Sequence, residues 1–354
     1  MKILFLTQTT QIGPASRYRV YQYLDYLKQE DIQFEVSPSL NSRDYNHFYL
    51  SCNPRKKIFY TFKIFFRRFV DLFRIKKFDF IFIQREILPQ IFPFFEIIYS
   101  KLNKNLIFDF DDAIYLVPPQ RNSILYKFRD KKSIERILKL SKVVIAGNEH
   151  LKEFAQQYNQ QVRVIPTSIN ITIKENNRRL SNLLSKDRIV IGWIGSIHTV
   201  FYLNLVADAL KILSKRYKIV FHTIGAGPFK IKGVDVINKE WAQSTELFNL
   251  SLLDIGIAPL YDDAWAKGKC GLKALQYMAC GIVCVCSNAG IYKQMIRDAD
   301  NGFLARNTDE WVDRISRLIE NSDLRKALIE SALRDVQAKY SIEKNKYKFR
   351  EIFS

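Results

Sequence analysis

Apolar runs of strand length recur along this chain with helical stretches between them, and the series starts twice. In the first half the runs fall near Ile3–Thr7, Phe34–Ser37, Phe80–Gln84, Leu106–Asp109, Val143–Ala146 and Val162–Pro166. A second series begins at Ile189-Val-Ile-Gly-Trp-Ile-Gly195 and continues through Ile219–Ile224, Asp254–Ala258 and Ile282–Cys286. Strands that alternate with helices predict parallel sheets covered on both faces. The expected class is therefore α/β, with two doubly wound, Rossmann-like domains. The polar segment Lys174–Asn182 reads as the connection between them. The expected boundaries are 1–172 for the first domain, 173–187 for the linker and 188–340 for the second, with a last helix over 341–354. At 354 residues and 47% hydrophobic content, each half can bury its own core.

The most specific chemistry lies in Lys267-Gly-Lys-Cys-Gly-Leu-Lys-Ala-Leu-Gln-Tyr-Met-Ala-Cys-Gly281. A basic, glycine-containing turn enters a short helix, which ends at a glycine and drops into the next strand. Such a turn can present backbone N–H groups and a helix N-terminus to a phosphate, and Lys267, Lys269 and Lys273 add positive charge there. An ordinary strand–loop–helix with solvated lysines has the same spacing. Upstream, Asp254-Ile-Gly-Ile-Ala-Pro-Leu260 is a strand reaching a loop, and Tyr261–Ala266 leads into the lysines.

This succession resembles the donor-binding segment of retaining glycosyltransferases with the GT-B fold, in particular glycosyltransferase family 4. That family usually carries a glutamate, seven residues and a second glutamate here. The two positions in this chain are Gly268 and Gln276. The segment is similar to the branch of the family with a lysine three residues before the second position, which is Lys273. The resemblance implies two domains facing a cleft, with residues 341–354 crossing back onto the first. It implies a UDP- or GDP-linked sugar as donor, hexosyl transfer, and retention of anomeric configuration. Its donor-side positions fall on Gly13 and Arg17 after the first strand, on Gly195, Ser196 and Thr199, on Gly225, and on Glu246. A surface helix start capped by Ser16 accounts for the first pair equally well.

Asp109-Phe-Asp-Asp112 is the second cluster. Its Asp-x-Asp spacing could hold a divalent ion against a diphosphate. Lysines already neutralise that diphosphate, so neither metal nor cofactor is expected. Asp111 or Asp112, at the strand's end, is the candidate to orient a sugar or acceptor hydroxyl.

A net charge of +19 needs its own account, and the segment Arg55 to Lys77 concentrates nine Lys/Arg, one acid and seven aromatics. On a helix, Ile58, Phe62, Phe65, Phe66, Phe69 and Phe73 share one face. Lys63, Arg67 and Arg74 lie beside or behind them. That pattern predicts an interfacial helix on an anionic bilayer, with Lys63, Phe66, Arg67 and Arg74 in contact. A face packed on the sheet is the other reading. No nucleic-acid motif accompanies the charge, so nucleic acid is not an expected partner. No run approaches a membrane span, and Met1–Thr7 reads as a first strand, not a secretory signal. Cysteines on an apolar strand with no histidine nearby read as reduced thiols, hence a cytoplasmic protein at the inner face of the plasma membrane. The expected function is sugar transfer to a lipid-linked or polysaccharide-precursor acceptor in cell-envelope synthesis. A sugar-nucleotide epimerase and a catalytically silent nucleotide-sugar-binding protein are the alternatives.

Overall fold

The structure is a computed structural model, and it describes residues 1–49, 54–88, 91–117, 130–170 and 188–354. The first-half apolar runs form β1 (Lys2–Thr9), β2 (Gln33–Leu40), β3 (Phe80–Gln84), β4 (Leu106–Phe110), β5 (Val143–Ala146) and β6 (Val162–Val164). They make one parallel sheet in the order β2-β1-β3-β4-β5-β6. Central strands are apolar throughout because helices cover both faces: Ile3, Leu4, Phe5, Ile81, Phe82 and Ile83 are all buried.

The second half gives β7 (Ile189–Ile194), β8 (Ile219–Ile224), β9 (Val236–Lys239), β10 (Ile255–Ala258), β11 (Val283–Ser287) and β12 (Phe303–Ala305). Their order is β12-β11-β10-β7-β8-β9, again all parallel. This is the Rossmann order, a central pair β10 and β7 with two further strands running outward on each side. The architecture is thus GT-B, two Rossmann-like units in one chain. β9 and β12 carried no clear signal in the sequence. Both are short edge strands, and half of β9 is Asn238 and Lys239, so periodicity had little to register.

The chain divides into Met1–Ser168 with Gly268–Cys270 and Asn345–Ser354, and Ile169–Lys267 with Gly271–Lys344. The expected boundary at 172 moves to 168 because Ile169 pairs with the second unit. Its N–H donates to the Tyr340 carbonyl at 2.8 Å, and its own carbonyl accepts from the Ile342 N–H at 3.2 Å. The expected linker, 173–187, lies outside the described residues. The return to the first unit starts at Asn345, not 341, inside the helix Ile342–Arg350.

Aromatic packing explains that return. Phe349 is buried, stacks on Tyr23 with ring centroids 4.2 Å apart, and sits 5.7 Å from the Phe82 ring. Phe353 meets Phe5 and Phe80 edge-on. Emptying this site leaves a cavity between rings that cannot collapse. Phe349→Ala is expected to destabilise the first unit by about 3–5 kcal/mol, read as a lower urea midpoint.

Candidate active site

In an open parallel sheet, ligands bind beyond the carboxyl ends of the strands, where the strand order reverses. In the second unit that point lies between β7 and β10, which pair at Ile191↔Ile255 and Gly192↔Gly256. Trp193 on β7 is fully buried, and its ring lies under the turn that follows: a Cβ on Gly195 would come 2.3 Å from it. Gly225, after β8, has φ +81, and a Cβ there would meet the Gly195 carbonyl oxygen at 2.3 Å. Only glycine allows the two turns to approach that closely. Within the first turn the Thr199 hydroxyl accepts from the Ser196 N–H and donates to the Ser196 carbonyl, both at 3.2 Å.

The helix Leu272–Ala279 starts at this edge. Gly271 precedes it with φ +68, and no side chain caps its first turn. Lys273 lies on that turn, its ammonium 5.4 Å from the centroid of the Trp193 ring. One turn later Gln276 is buried and donates its amide N–H to Glu246 Oε1 at 3.2 Å. The second Glu246 oxygen accepts from the Trp241 indole N–H at 2.6 Å. Lys273, Gln276, Glu246, Gly195, Ser196, Thr199 and Gly225 therefore share one unit.

The other two lysines behave differently. Lys267 is exposed at the end of the short helix Ala264–Lys267. Gly268–Cys270 pack with the first unit, where a Cβ on Gly268 would lie 2.8 Å from the Ala113 nitrogen. The Lys269 ammonium is 3.5 Å from Asp112 Oδ1, and its carbonyl accepts from the Asn148 amide at 2.9 Å. Cys270 is packed against Gly147, and burial pushes its thiol well up, reinforced by Asp111.

In the first unit the order reverses between β1 and β3. Gly13, after β1, has no room for a side chain because a Cβ would lie 2.1 Å from the Thr9 hydroxyl oxygen. Ser16 does not cap the following helix. Its buried hydroxyl meets the Thr9 N–H and the Gln84 amide oxygen instead. Arg17 lies over the Tyr18 ring at 4.7 Å. Asp109 is held by buried Arg19, whose Nε is 3.1 Å from both carboxylate oxygens. Burial opposes the charge on Arg19, but the Asp109 carboxylate overcomes it and makes the guanidinium more basic than usual.

Past the ends of β3 and β4, Arg85 binds Asp111 and Asp112, each at 2.6 Å. Its backbone is left-handed, φ 59, a cost that local contacts must offset. Burial would raise the Asp112 pKa, but Lys269 and Arg85 outweigh it and hold the carboxyl below its usual range. A carboxylate so stabilised is a poor proton acceptor but a good hydrogen-bond acceptor. Arg19 and Arg85 went unnoticed in the sequence. The one available signal was a charged residue directly after the apolar strand Phe80–Gln84.

The phenylalanine-rich helix runs over Pro54–Leu72, so Phe73 and Arg74 lie beyond its end. Its inward face is Ile64, Arg68 and Asp71; Phe62, Phe66 and Phe73 are 71%, 68% and 76% exposed. The alternative in which the aromatic face packs on the sheet is thereby overturned. Arg68 forms the inward anchor, donating to Asp71, Ser39 and the Thr7 and Ser37 carbonyls. Lys63 pairs with Asp44 at 2.5 Å, and Arg74 with Glu35 and Asp71 at 2.7 and 2.8 Å. Arg67 is half-buried, and burial together with Arg68 lowers its pKa. These three cations thus have partners or cover within the first unit. Among the described residues no helix is long and apolar enough to cross a membrane.

Residues 188–321 match the family described as Glycosyl transferases group 1. The second unit is a group 1 glycosyltransferase domain. Solved structures match the fold of the whole chain. A sucrose-phosphate synthase from Thermosynechococcus elongatus matches with TM-score 0.71 at 14% identity, covering 100% of this chain and 98% of that one. HepE from Anabaena, in complex with UDP-glucose, gives 0.65 at 14% identity over 99% and 98%. A glycosyltransferase from Rickettsia africae gives 0.61 at 16% identity over 99% and 97%. No curated protein sequence matches the chain.

The Arg85–Asp112–Lys269 cluster carries a pH signature. Asp112 titrates lower when folded than an unfolded aspartate, whose pKa is about 4. Its contribution to stability is complete above that value and is lost as pH falls through the lower, folded pKa. The unfolding free-energy gap between wild type and Asp112→Asn should be constant above pH about 4 and close below it, by denaturant titration.

Proposed function

We propose that the protein transfers a sugar from a UDP- or GDP-linked donor to a lipid-linked or polysaccharide-precursor acceptor at an anionic membrane surface. The observation that carries the donor half is Lys273. It sits on the uncapped first turn of a helix, over Trp193, at the point where a Rossmann-ordered sheet reverses. That edge combines N–H groups, a helix dipole and a fixed cation, the combination that suits a diphosphate. HepE, with the same fold, was crystallised with UDP-glucose.

As the bond between the sugar and its phosphate breaks, negative charge grows on the departing diphosphate. A cation already in place lowers the transition state more than the ground state. In the first unit, Asp111 and Asp112 are held by Arg85 and orient the acceptor hydroxyl by accepting its hydrogen bond. Their arginine and lysine partners already balance their charge, so the reaction needs no divalent metal. The sugar leaves and the acceptor arrives on the same face, with retention of configuration. Lys273→Ala should raise the barrier by about 3 kcal/mol, seen in turnover with the fold intact. Wild-type transfer should persist in a chelator. A folded Lys273→Ala enzyme with normal turnover would refute the phosphate assignment. Activity lost to chelator and restored by magnesium or manganese would refute metal independence.

The membrane half rests on the outward stripe of the helix Pro54–Leu72. Ile58, Phe59, Phe62, Phe66 and Phe69 are exposed along it, and Phe65 packs on Phe95, which in turn meets exposed Phe94. Arg55, Lys56, Lys76 and Lys77 are exposed at the two ends of the segment. Aromatic rings flanked by cations suit the headgroup boundary of an anionic bilayer. The phenylalanines, not the paired Lys63 and Arg74, are the informative residues to change. The variant F62S/F66S/F73S should stay folded and lose co-sedimentation with phosphatidylglycerol-containing vesicles, because all three rings already face solvent. Equal sedimentation of variant and wild type would remove the membrane from the proposal.

A further inference from the structure

Glu246 and Gln276 are both buried, and they sit 3.2 Å apart on different elements of the second unit. A buried carboxylate needs its oxygens satisfied, and here two neutral N–H donors meet them, one from Gln276 and one from Trp241. Two consequences follow from that geometry. Position 276 cannot carry a second carboxylate without setting two like charges in contact, where both cannot ionise. The Gln276 amide also cannot turn over, because its N–H₂ end must face Glu246 and its oxygen must be the other prong. Lys273 lies three residues earlier on the same helix, so the amide oxygen is held within a turn of the cation.

We infer that Glu246 is a positioning residue for donor binding: it fixes which way the Gln276 amide faces and supplies the carboxylate that position 276 lacks. The inference rests on the reading of this edge as the nucleotide-sugar site. It explains the departure at Gln276 as an exchange of partners. One carboxylate and one amide share the site, and the carboxylate is on the Trp241 side.

The exchange can be reversed by substitution. In Glu246→Gln, an amide introduced at position 246 keeps an oxygen for Trp241 but turns its N–H₂ toward that of Gln276, which forces Gln276 over. In Gln276→Glu, two carboxylates meet. In E246Q/Q276E the pair is restored with its members reversed, and an acceptor oxygen again faces away from position 246. Binding of a panel of UDP- and GDP-sugars, UDP-glucose included, is measured by calorimetry for the four proteins, with thermal unfolding as control. Each single substitution should weaken binding about tenfold or more, and the double variant should return to within about threefold of wild type. In transfer assays the singles should raise the donor KM more than they lower kcat. Singles that lower Tm yet bind the donor normally would show a merely structural pair and overturn the inference. So would a double variant no better than the singles. A wild type that binds no nucleotide-sugar would instead overturn the donor reading, and this inference with it.

Discussion

Parallel strands all end on the same side of their sheet, and that constraint organises everything functional in this chain. In the second unit it brings the turns after β7 and β8 and the start of the helix Leu272–Ala279 to one edge. In the first it does the same for Gly13, Arg85, Asp111 and Asp112. Strand interiors can then be uniformly apolar, because polar groups are needed only where the strands stop. The glycines at 195 and 225 follow from crowding at such an edge, where two turns touch through their backbones.

Buried arginines set orientation within that frame. Arg68 reaches two backbone carbonyls, two serines and an aspartate, a set that only one rotation of its helix can satisfy. Breaking such a buried pair by removing one partner costs about 3–5 kcal/mol. With Arg68 and Asp71 inward, the aromatic stripe is left outside. Arg19 on Asp109 and Arg85 on Asp111 and Asp112 act similarly at the sheet edge. Part of the positive charge is thus internal structure, and only the rest is available to a surface.

Gln276 shows why a motif position is hard to judge in isolation. Taken as one letter, it looks like a lost acid. Beside Glu246 it is half of a hydrogen-bonded pair whose other half lies thirty residues earlier in the chain. The acid-to-amide change and the placement of Glu246 make sense only together.

Much was legible without coordinates. Apolar runs located every central strand of both sheets, since a strand buried on two faces reads as a near-continuous apolar run. The basic turn, the Asp-Phe-Asp-Asp cluster and the aromatic helix were visible as local patterns. Pairings distant along the chain were not visible: Arg19 with Asp109, Arg85 with Asp111 and Asp112, Arg68 with Thr7 and Ser37, Glu246 with Gln276. The sequence by itself determined the two-unit α/β architecture, because local hydrophobic pattern dictates strands, helices and their alternation. Only the tertiary structure decided that Lys269 pairs with Asp112 and that the phenylalanines face outward. Side-chain partners and helix rotation depend on which strands become neighbours, and no window of sequence contains that.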